Sequence, residues 1–288
     1  MVSIDSAIER GGARVAGRAA PAPALWTRLR PGLTGLGALR GLLLPMLILV
    51  AWQIVVNREV YSRGQLPAPL DVLAAGQELQ NIGVLIPNVM ASMQRVAVGW
   101  GVGAIAAVVI GLAVGFSRPV ESLVAPTLQA FRAVPSLAWV PLFVLWLGIG
   151  ETPKLTLIAI GAFFPVYTNL VSGVRQIDRK LVEVGRAYGL RGWSLTREIL
   201  LPAALPSLFT GLRLGLAQAW LFLVAAELIA ASRGLGFLLI DAQNTGRADI
   251  ILLSIMLLAI IGKGTDWLLA RAECRLLRWS DTFRGDGG

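Results

Sequence analysis

Histidine is absent from this sequence of 288 residues, and cysteine occurs once, at Cys274. Histidine is the commonest general base and metal ligand near neutral pH, so its absence argues against a hydrolytic or metal-site enzyme. A single cysteine cannot form a disulfide within the chain, and we interpret the Cys274 thiol as a packing group. We therefore predict neither catalytic residues nor a metal site.

Charged residues are also scarce, because they make up 15% of the chain, against roughly 25% in soluble domains. Mean hydropathy is +0.70, and several apolar stretches reach the ~20 residues that a helix needs to cross a bilayer. Backbone groups that face lipid must be paired internally, and these runs are too long and too unalternating for barrel strands. The sequence predicts an all-α integral membrane protein.

A nucleotide-binding loop is missing as well. The fragment Ile261–Thr265 (IGKGT) resembles the end of a phosphate-binding loop, but the glycine required earlier would fall at Leu257. An apolar membrane helix is also the wrong context for a strand–loop–helix cradle. We expect no cofactor on this chain, so any ATP and Mg²⁺ that drive it belong to a partner subunit.

Six transmembrane helices are predicted, at about 39–56, 96–116, 122–147, 155–174, 207–231 and 250–270. Together they form a membrane domain over 39–279. Residues 1–38 predict a disordered basic cytoplasmic tail and residues 280–288 a short second one. Prolines at 126, 135 and 141 are expected to kink or break the third span. A short amphipathic helix is expected from Asp71, between the first two spans.

Lysine and arginine positions predict the orientation. An N terminus in the cytoplasm puts 17 of the 26 basic residues on that side and five outside, and the other four within or at the ends of spans. Both termini are then cytoplasmic. The net charge of +9 is mainly this orientation signal, so we predict lipid contact and no nucleic-acid partner.

A charged stretch, EVGRAYGLRGWSLTREILLPAALP over 183–206, interrupts this apolar chain on the predicted cytoplasmic side. Asp178 can cap a helix that Gly189 ends. Ser194 can cap a second short helix that Pro202 stops, so that 178–202 form a helix–turn–helix elbow. Either the elbow lies among lipid headgroups, or it docks on a cytosolic partner and transmits movement. Its apolar residues recur at helical spacing: Leu181, Val184 and Tyr188.

The spacing of this elbow resembles the cytoplasmic-loop motif of ABC-importer permeases, Glu-Ala-Ala-x3-Gly-x9-Ile-x-Leu-Pro. Val184 and Gly185 stand here in place of the two alanines. The resemblance implies a coupling helix that fits a groove on the ATP-hydrolysing subunit. The residues to which it assigns this coupling are Glu183, Val184, Gly185, Arg186, Ala187, Tyr188, Gly189, Ile199, Leu201 and Pro202.

Further segments resemble the nitrate/sulfonate/taurine/bicarbonate branch of that family, and aliphatic-sulfonate permeases most closely. They are RAVPSLAWVP (132–141), GIGETPK (148–154), FFPVY (163–167), GLRLG (211–215), AAEL (225–228) and GLG (234–236). The resemblance implies the six-helix fold of type I importer permeases in the bacterial cytoplasmic (inner) membrane. It also implies a homodimer with two ATP-binding cassette subunits and an extracytoplasmic substrate-binding protein. The cargo would be an alkanesulfonate, or else taurine, nitrate, bicarbonate or a pyrimidine precursor.

Charges at membrane depth are costly and indicate function. Arg132 and Glu227 are expected either to pair with each other or to line a translocation pathway beside Pro135. Arg95 is expected at the outer interface, whereas Arg213 and Lys263 are expected to snorkel, with Asp266 as a partner of Lys263. Small-residue ridges are expected to pack helices within one subunit or at a subunit interface: Gly99-x3-Gly103, Gly111-x3-Gly115 and Gly211-x3-Gly215.

Two other classes of function compete with an ABC permease. An ion-coupled secondary transporter would use Arg132, Glu227 or Asp266 as its coupled site, and a structural scaffold would use none of them. The absence of an obvious internal repeat and the presence of the elbow argue against a secondary transporter.

Overall fold

The computed structural model describes residues 34–62 and 64–279, and every regular element in these residues is helical. A 3₁₀ turn covers Ser136–Trp139 and a π turn covers Thr196–Leu200. The helices are α1 (Thr34–Asn57), α2 (Pro69–Asn81), α3 (Leu85–Phe116), α4 (Arg118–Ala133), α5 (Val140–Leu147), α6 (Glu151–Arg175), α7 (Arg179–Ala187), α8 (Trp193–Leu195), α9 (Leu201–Ala230), α10 (Leu235–Asn244) and α11 (Ala248–Leu276).

Four helices in the described residues are long and apolar enough to cross a membrane, and a bent pair brings the number to five. The four contain α3, α6, α9 and α11. The bent pair is α4 with the segment Ser136–Leu147, at an angle of 86°. The predicted third span is therefore bent sharply after Ala133, in the segment that contains Pro135. The predicted first span falls in α1, which includes the apolar segment Leu43–Asn57.

Glycines of α3 allow this helix to pack closely along α6. A Cβ added at Gly99 would lie 2.6 Å from Ile158 Cγ2, and one at Gly115 would lie 3.1 Å from Val174 Cγ1. Because both contacts advance in the same direction along the chain, α3 and α6 run parallel. The prediction that these glycine ridges pack helices within one subunit is confirmed.

A neighbouring face of α6 packs against α9 in the antiparallel sense. A Cβ at Gly215 would lie 3.0 Å from the Ala162 carbonyl oxygen, whereas Gly173 faces Ser207 near the other end of both helices. The core between α3, α5, α6 and α9 is apolar and contains Val96, Val140, Leu157, Ile158, Ala162, Leu216, Ala219, Phe222, Leu223 and Ala226.

A second cluster joins α2, α10 and α11. Its buried residues are Val72, Ala75, Leu79, Ala242, Ile250 and Leu253. Arg247 precedes α11 and donates to Glu78 of α2, with Nη2 and Oε2 2.8 Å apart. This guanidinium holds the pKa of the Glu78 carboxyl below its usual range. The short amphipathic helix predicted from Asp71 is confirmed and begins at Pro69, whereas α10 was not predicted.

Several helices begin earlier than the sequence predicted. Residues 34–38 belong to α1 and not to the predicted tail, while residues 1–33 and 280–288 lie outside the described part of the chain. The predicted second span starts at 96, but α3 begins at Leu85 and includes Arg95. The charge on Arg95 suggested a membrane boundary, and in the structure this charge is paired with Glu151 and Glu227.

Candidate functional site

The elbow begins with a helix whose two ends are fixed by local hydrogen bonds. The Asp178 side chain accepts from the Lys180 backbone N–H at 2.9 Å, so the predicted cap of α7 is confirmed. Gly189 follows the helix with φ of +84°, in the left-handed region that favours glycine. Leu190 then donates to the Gly185 carbonyl at 3.0 Å, which closes the turn. The prediction that Gly189 ends this helix is confirmed.

Gly185 is the contact point between the two arms of the elbow. It is the buried residue of α7, and a Cβ added there would lie 2.7 Å from Leu195 Cδ1 and overlap Ile199 Cδ1. Leu195 is itself buried. The position that carries an alanine in the resembled motif is therefore occupied by the smallest residue, and the helix packs directly on the second arm.

The apolar residues of α7 that recur at helical spacing point away from this contact. Leu181 is 48% exposed, Val184 53% and Tyr188 84%. Glu183, Arg186 and Ala187 are exposed as well. We call Leu181, Val184 and Tyr188 the elbow stripe. No described part of this chain covers the elbow stripe, so it is free to meet lipid or another subunit.

Pro202 does not end the second arm, and on this point the sequence prediction was wrong. The segments Trp193–Leu195, Thr196–Leu200 and Leu201–Ala230 follow one another without a break. The N–H of Leu201 donates to the carbonyl of Thr196, five residues earlier. Such a widened turn relieves the clash that the Pro202 ring would make with the preceding helical turn. The second arm of the elbow is thus continuous with the membrane helix α9.

Ser194 also differs from its predicted role. The Ser194 hydroxyl donates to the Arg191 carbonyl at 2.8 Å, and the Arg191 N–H donates to the Ser194 hydroxyl oxygen at 3.2 Å. Ser194 lies within the first helical residues and not before them, so it fixes the turn at Arg191 and does not cap the arm.

A buried charge cluster lies at the opposite end of α3, α6 and α9. Arg95 Nη1 donates to Glu227 Oε1 at 2.7 Å, and Arg95 Nε donates to Glu151 Oε2 at 2.6 Å. The Arg95 and Glu227 side chains are 7% and 0% exposed. Lys154 Nζ adds a contact of 3.0 Å to Glu151 Oε1. One cation of α3 therefore holds carboxylates of two other helices.

The same cluster binds the start of α10. Ser92 Oγ donates to Glu227 Oε1 at 2.8 Å and lies 2.8 Å from the N–H of Leu235. The N–H of Gly236 donates to Glu227 Oε2 at 2.8 Å, and that of Gly234 donates to Asn88 Oδ1 at 2.6 Å. The Glu227 carboxylate thus accepts hydrogen bonds from a guanidinium, a hydroxyl and a backbone N–H.

This arrangement corrects one expectation about charges at membrane depth. The alternative of an Arg132–Glu227 pair is wrong, because the partner of Glu227 is Arg95. Arg95 is 6% exposed and its charge is compensated by Glu151 and Glu227, and its place at the outer interface stays a prediction. Glu227 remains the buried carboxylate that the sequence predicted, but it is enclosed by hydrogen-bond partners.

A smaller ion cluster joins α9 to α11. Arg213 Nε donates to Asp266 Oδ1 at 3.0 Å, and its Nη1 lies 3.3 Å from Glu273 Oε2. The predicted contact of Lys263 with Asp266 is confirmed, at 3.4 Å. These pairs are partly exposed, and we assign them to the packing of the two helices.

Arg132 lies in a different environment, in the last turn of α4. It lines a cavity of about 400 Å³ between α4 and α6. Its side chain forms no salt bridge with the described residues. Pro135 precedes the 3₁₀ turn at the bend. The structure therefore places Arg132 on the wall of this cavity and Pro135 at the bend, and neither residue is among the hydrogen-bond partners of Glu227.

Sequence reasoning missed Arg95, Glu151 and Ser92 as members of the charge cluster. Three of the recognised segments do point to it, because 148–154 contains Glu151 and Lys154, 225–228 contains Glu227, and 234–236 spans the start of α10. Those segments did not indicate which charges pair, because Arg95 is 56 residues from Glu151 and 132 residues from Glu227 along the chain.

Known proteins resemble this chain over most of its length. A family model described as a binding-protein-dependent transport system inner membrane component matches residues 100–277. The putative aliphatic sulfonates transport permease protein SsuC of Bacillus subtilis (strain 168) is 40% identical over 258 residues, which are 90% of this chain and 94% of that protein. The taurine transport system permease protein TauC of Escherichia coli (strain K12) is 34% identical, over 81% and 86%.

The fold resembles a solved structure described as inward-facing conformations of the MetNI methionine ABC transporter. The TM-score is 0.58 at 21% sequence identity, over 69% of this chain and 97% of that one. At this identity the likeness concerns the arrangement of helices alone.

Proposed function

This chain belongs to the family of binding-protein-dependent transport system inner membrane components and has the type I ABC-importer permease fold. From that premise we propose that it is the permease subunit of an ATP-driven importer that carries an alkanesulfonate into the cytoplasm. It is a multi-pass inner-membrane protein. The direction of transport, the cargo and the partners are what we propose beyond the family and the fold.

The geometry of the elbow supports the coupling of this chain to ATP hydrolysis. At Gly185, α7 packs directly against Leu195 and Ile199, and the second arm continues into α9 without a break. A partner that moves the elbow stripe therefore moves a membrane helix directly. Glu183, Arg186, Ala187 and Gly189 surround the stripe at the surface, which supports a protein partner for this face.

The partners follow from this role. We propose two copies of the chain beside two ATP-binding cassette subunits that hold ATP and Mg²⁺, with an extracytoplasmic substrate-binding protein on the opposite side. Both termini and the elbow face the cytoplasm in this arrangement, as the basic residues predict. ATP closes the ATPase pair, the elbows move together, and the membrane helices alternate between outward and inward access.

The cargo assignment rests on a relative and on one charge. The SsuC relative is named for aliphatic sulfonates and is more similar to this chain than the taurine permease TauC. Arg132, which lines the cavity beside the bend, supplies positive charge for an anion. An ion-coupled secondary transporter has less support, because Glu227 and Asp266 are both held in ion pairs.

Reconstitution with the ATPase subunit encoded nearest to this chain tests the proposal. We expect no ATP hydrolysis by the purified chain, and vanadate-sensitive hydrolysis once the ATPase subunit is added. With the binding protein present, proteoliposomes should accumulate labelled alkanesulfonate only when ATP is supplied on the elbow side. Nucleotide turnover by this polypeptide alone, or uptake driven by an ion gradient without ATP, would overturn the proposal.

A further inference from the structure

Two cavities adjoin along α6 near the bend that follows α4. The first, of about 400 Å³, lies between α4 and α6 and contains Arg132. The second, of about 300 Å³, lies between the bend and α6 and contains Trp139. Leu128 and Phe164 line both cavities. The two cavities are therefore neighbours on the same face of α6.

The first cavity contains two cations and several polar groups in a partly apolar lining. Arg132 and Arg175 line it, together with the side chains of Gln129 and Thr168. Glu121 is ion-paired with Arg175, whereas the described residues offer Arg132 no carboxylate within salt-bridge distance. The cavity lining includes no acidic residue among those described. The uncompensated guanidinium is suited to the planar or tripodal oxygens of a small anion.

The second cavity is aromatic. Trp139 packs against Phe131 with ring centroids 5.6 Å apart and against Phe143 at 6.3 Å. On the α6 side, Phe163 and Phe164 meet edge to face at 5.3 Å. Ser136 supplies the hydroxyl group of this lining, and no carboxylate lines it among the described residues. Such a surface accepts an alkyl or aryl group and offers an ammonium group no counterion.

The bend at Pro135 is what joins the two kinds of surface. Arg132 precedes Pro135 at the end of α4, and the 3₁₀ turn that carries Ser136 and Trp139 follows it. The two helical segments differ in direction by 86°. In a straight helix, the residues before and after Pro135 would lie along one axis. The bend instead places Arg132 and Trp139 in cavities that Phe164 also lines.

We propose that these cavities form one binding site for an amphiphilic organic anion, with its anionic head at Arg132 and its apolar tail in the aromatic cavity. This inference rests on the proposed function and narrows its cargo. Nitrate and bicarbonate have no tail to fill the second cavity. Taurine has an ammonium group where propanesulfonate has a methyl group, and the second cavity has no carboxylate to hold that charge. The site therefore selects alkanesulfonates within the branch.

Cysteine protection in the permease–ATPase complex, without the binding protein, tests this site. Cys274 is the one cysteine of the chain, so a Cys274→Ser background removes the competing thiol. Ser136→Cys reports on the aromatic cavity and Gln129→Cys on the positive one. Ser122→Cys, on α4 but outside both cavities, is the control. The measured quantity is the rate of maleimide alkylation in the presence of methane- to hexanesulfonate.

We expect the concentration that half-protects Ser136→Cys to fall about fourfold for each added methylene until the cavity is full, as ~0.8 kcal/mol per buried CH₂ implies. Gln129→Cys should be protected by every sulfonate, and Ser122→Cys by none. Propanesulfonate should protect Ser136→Cys far better than taurine, its match in size. Arg132→Ala should abolish protection at both sites, and Arg132→Lys should retain part of it.

Protection that is independent of chain length, or equal for taurine and propanesulfonate, would overturn the proposal. An anionic phospholipid shares the same chemistry, so the complex is compared in nanodiscs of zwitterionic lipid with and without phosphatidylglycerol. The proposal would also be overturned if phosphatidylglycerol alone slowed alkylation and added sulfonate slowed it no further. Quenching of wild-type tryptophan fluorescence by a brominated alkanesulfonate, reduced by Trp139→Phe, gives a readout free of cysteine variants.

The proposed function can fail separately from this site. If proteoliposomes with the binding protein take up alkanesulfonate under ATP but neither cavity is protected, the site is wrong and the permease role stands. If ATP-driven uptake is absent for every anion although the complex assembles, the function itself is wrong.

Discussion

Arg95 of α3 and Glu227 of α9 form a buried ion pair, with Nη1 and Oε1 2.7 Å apart and side chains 7% and 0% exposed. Removing one partner of such a pair leaves a charge without compensation, which costs about 3–5 kcal/mol. We therefore expect Arg95→Ala to lower the unfolding free energy of the detergent-solubilised protein by that amount. Glu227→Gln should cost less, because Arg95 keeps its two bonds to Glu151.

Lys263→Ala is the matched control for this prediction. Lys263 also contacts a carboxylate, but at 3.4 Å and with 79% of its side chain exposed. Exposed pairs contribute about 0–1 kcal/mol. Equal unfolding midpoints for Arg95→Ala and Lys263→Ala would show that the cluster does not hold the bundle together.

Local patterns in the sequence predicted most of the helices and the end of α7. A cap at Asp178 and a glycine at 189 act within one turn of the chain, and the apolar runs of α6 and α11 define spans by length. The charge cluster could not be predicted in this way. Its pairs join residues 56 and 132 positions apart, and a lone arginine in an apolar run is read as a membrane boundary.

Pro202 and α10 show two other limits of the sequence. A proline normally ends a helix, but the π turn before Pro202 relieves the clash, and nothing in the residue types announces that turn. Helix α10 has only ten residues and is held by Asn88, Ser92 and Glu227, which come from two other helices. Arg132 was predicted as a pathway residue, and its place beside the bend keeps that prediction open to test.

Gly189→Trp should abolish uptake while the protein still inserts and folds. A Cβ at Gly189 meets no atom of this chain within 4 Å, so the large side chain would obstruct a partner subunit and not the elbow itself. The measurements are ATP-driven uptake and co-purification of the ATPase subunit. We expect both to be lost, together with a folding cost of about 1 kcal/mol for a side chain at positive φ.

Gly83→Trp separates these two effects. Gly83 has φ of +74°, against +84° at Gly189, and its Cβ position is equally open. The backbone strain of the two variants is therefore similar, while Gly83 lies outside the elbow. If Gly83→Trp lost ATPase association as Gly189→Trp does, strain and not docking would explain the result.

Tyr188→Ser should weaken the ATPase subunit's affinity by about tenfold or more, because a well-packed aromatic anchor contributes roughly 2 kcal/mol or more to an interface. Tyr188 is 84% exposed in this chain, so its truncation leaves the fold intact. Ile149→Ser is the control, since Ile149 is 85% exposed but lies outside the elbow. Titration of the ATPase subunit against nanodisc-embedded protein measures both affinities, and equal values would indicate that the elbow stripe meets lipid.

Arg132→Ala should lower ATP-driven uptake by about 10- to 100-fold, the range that corresponds to loss of a hydrogen bond to a charged group of about 1.5–3 kcal/mol. Its exposed side chain forms no salt bridge with the described residues, so the unfolding midpoint and ATPase co-purification should stay unchanged. Arg132→Lys should restore part of the uptake, because lysine keeps the charge but loses the planar fork. Arg118→Ala, on the same helix but outside both cavities, should transport normally. If Arg118→Ala and Arg132→Ala reduced uptake alike, the two arginines would act through the general surface charge of α4, and Arg132 would not be a ligand of the transported anion.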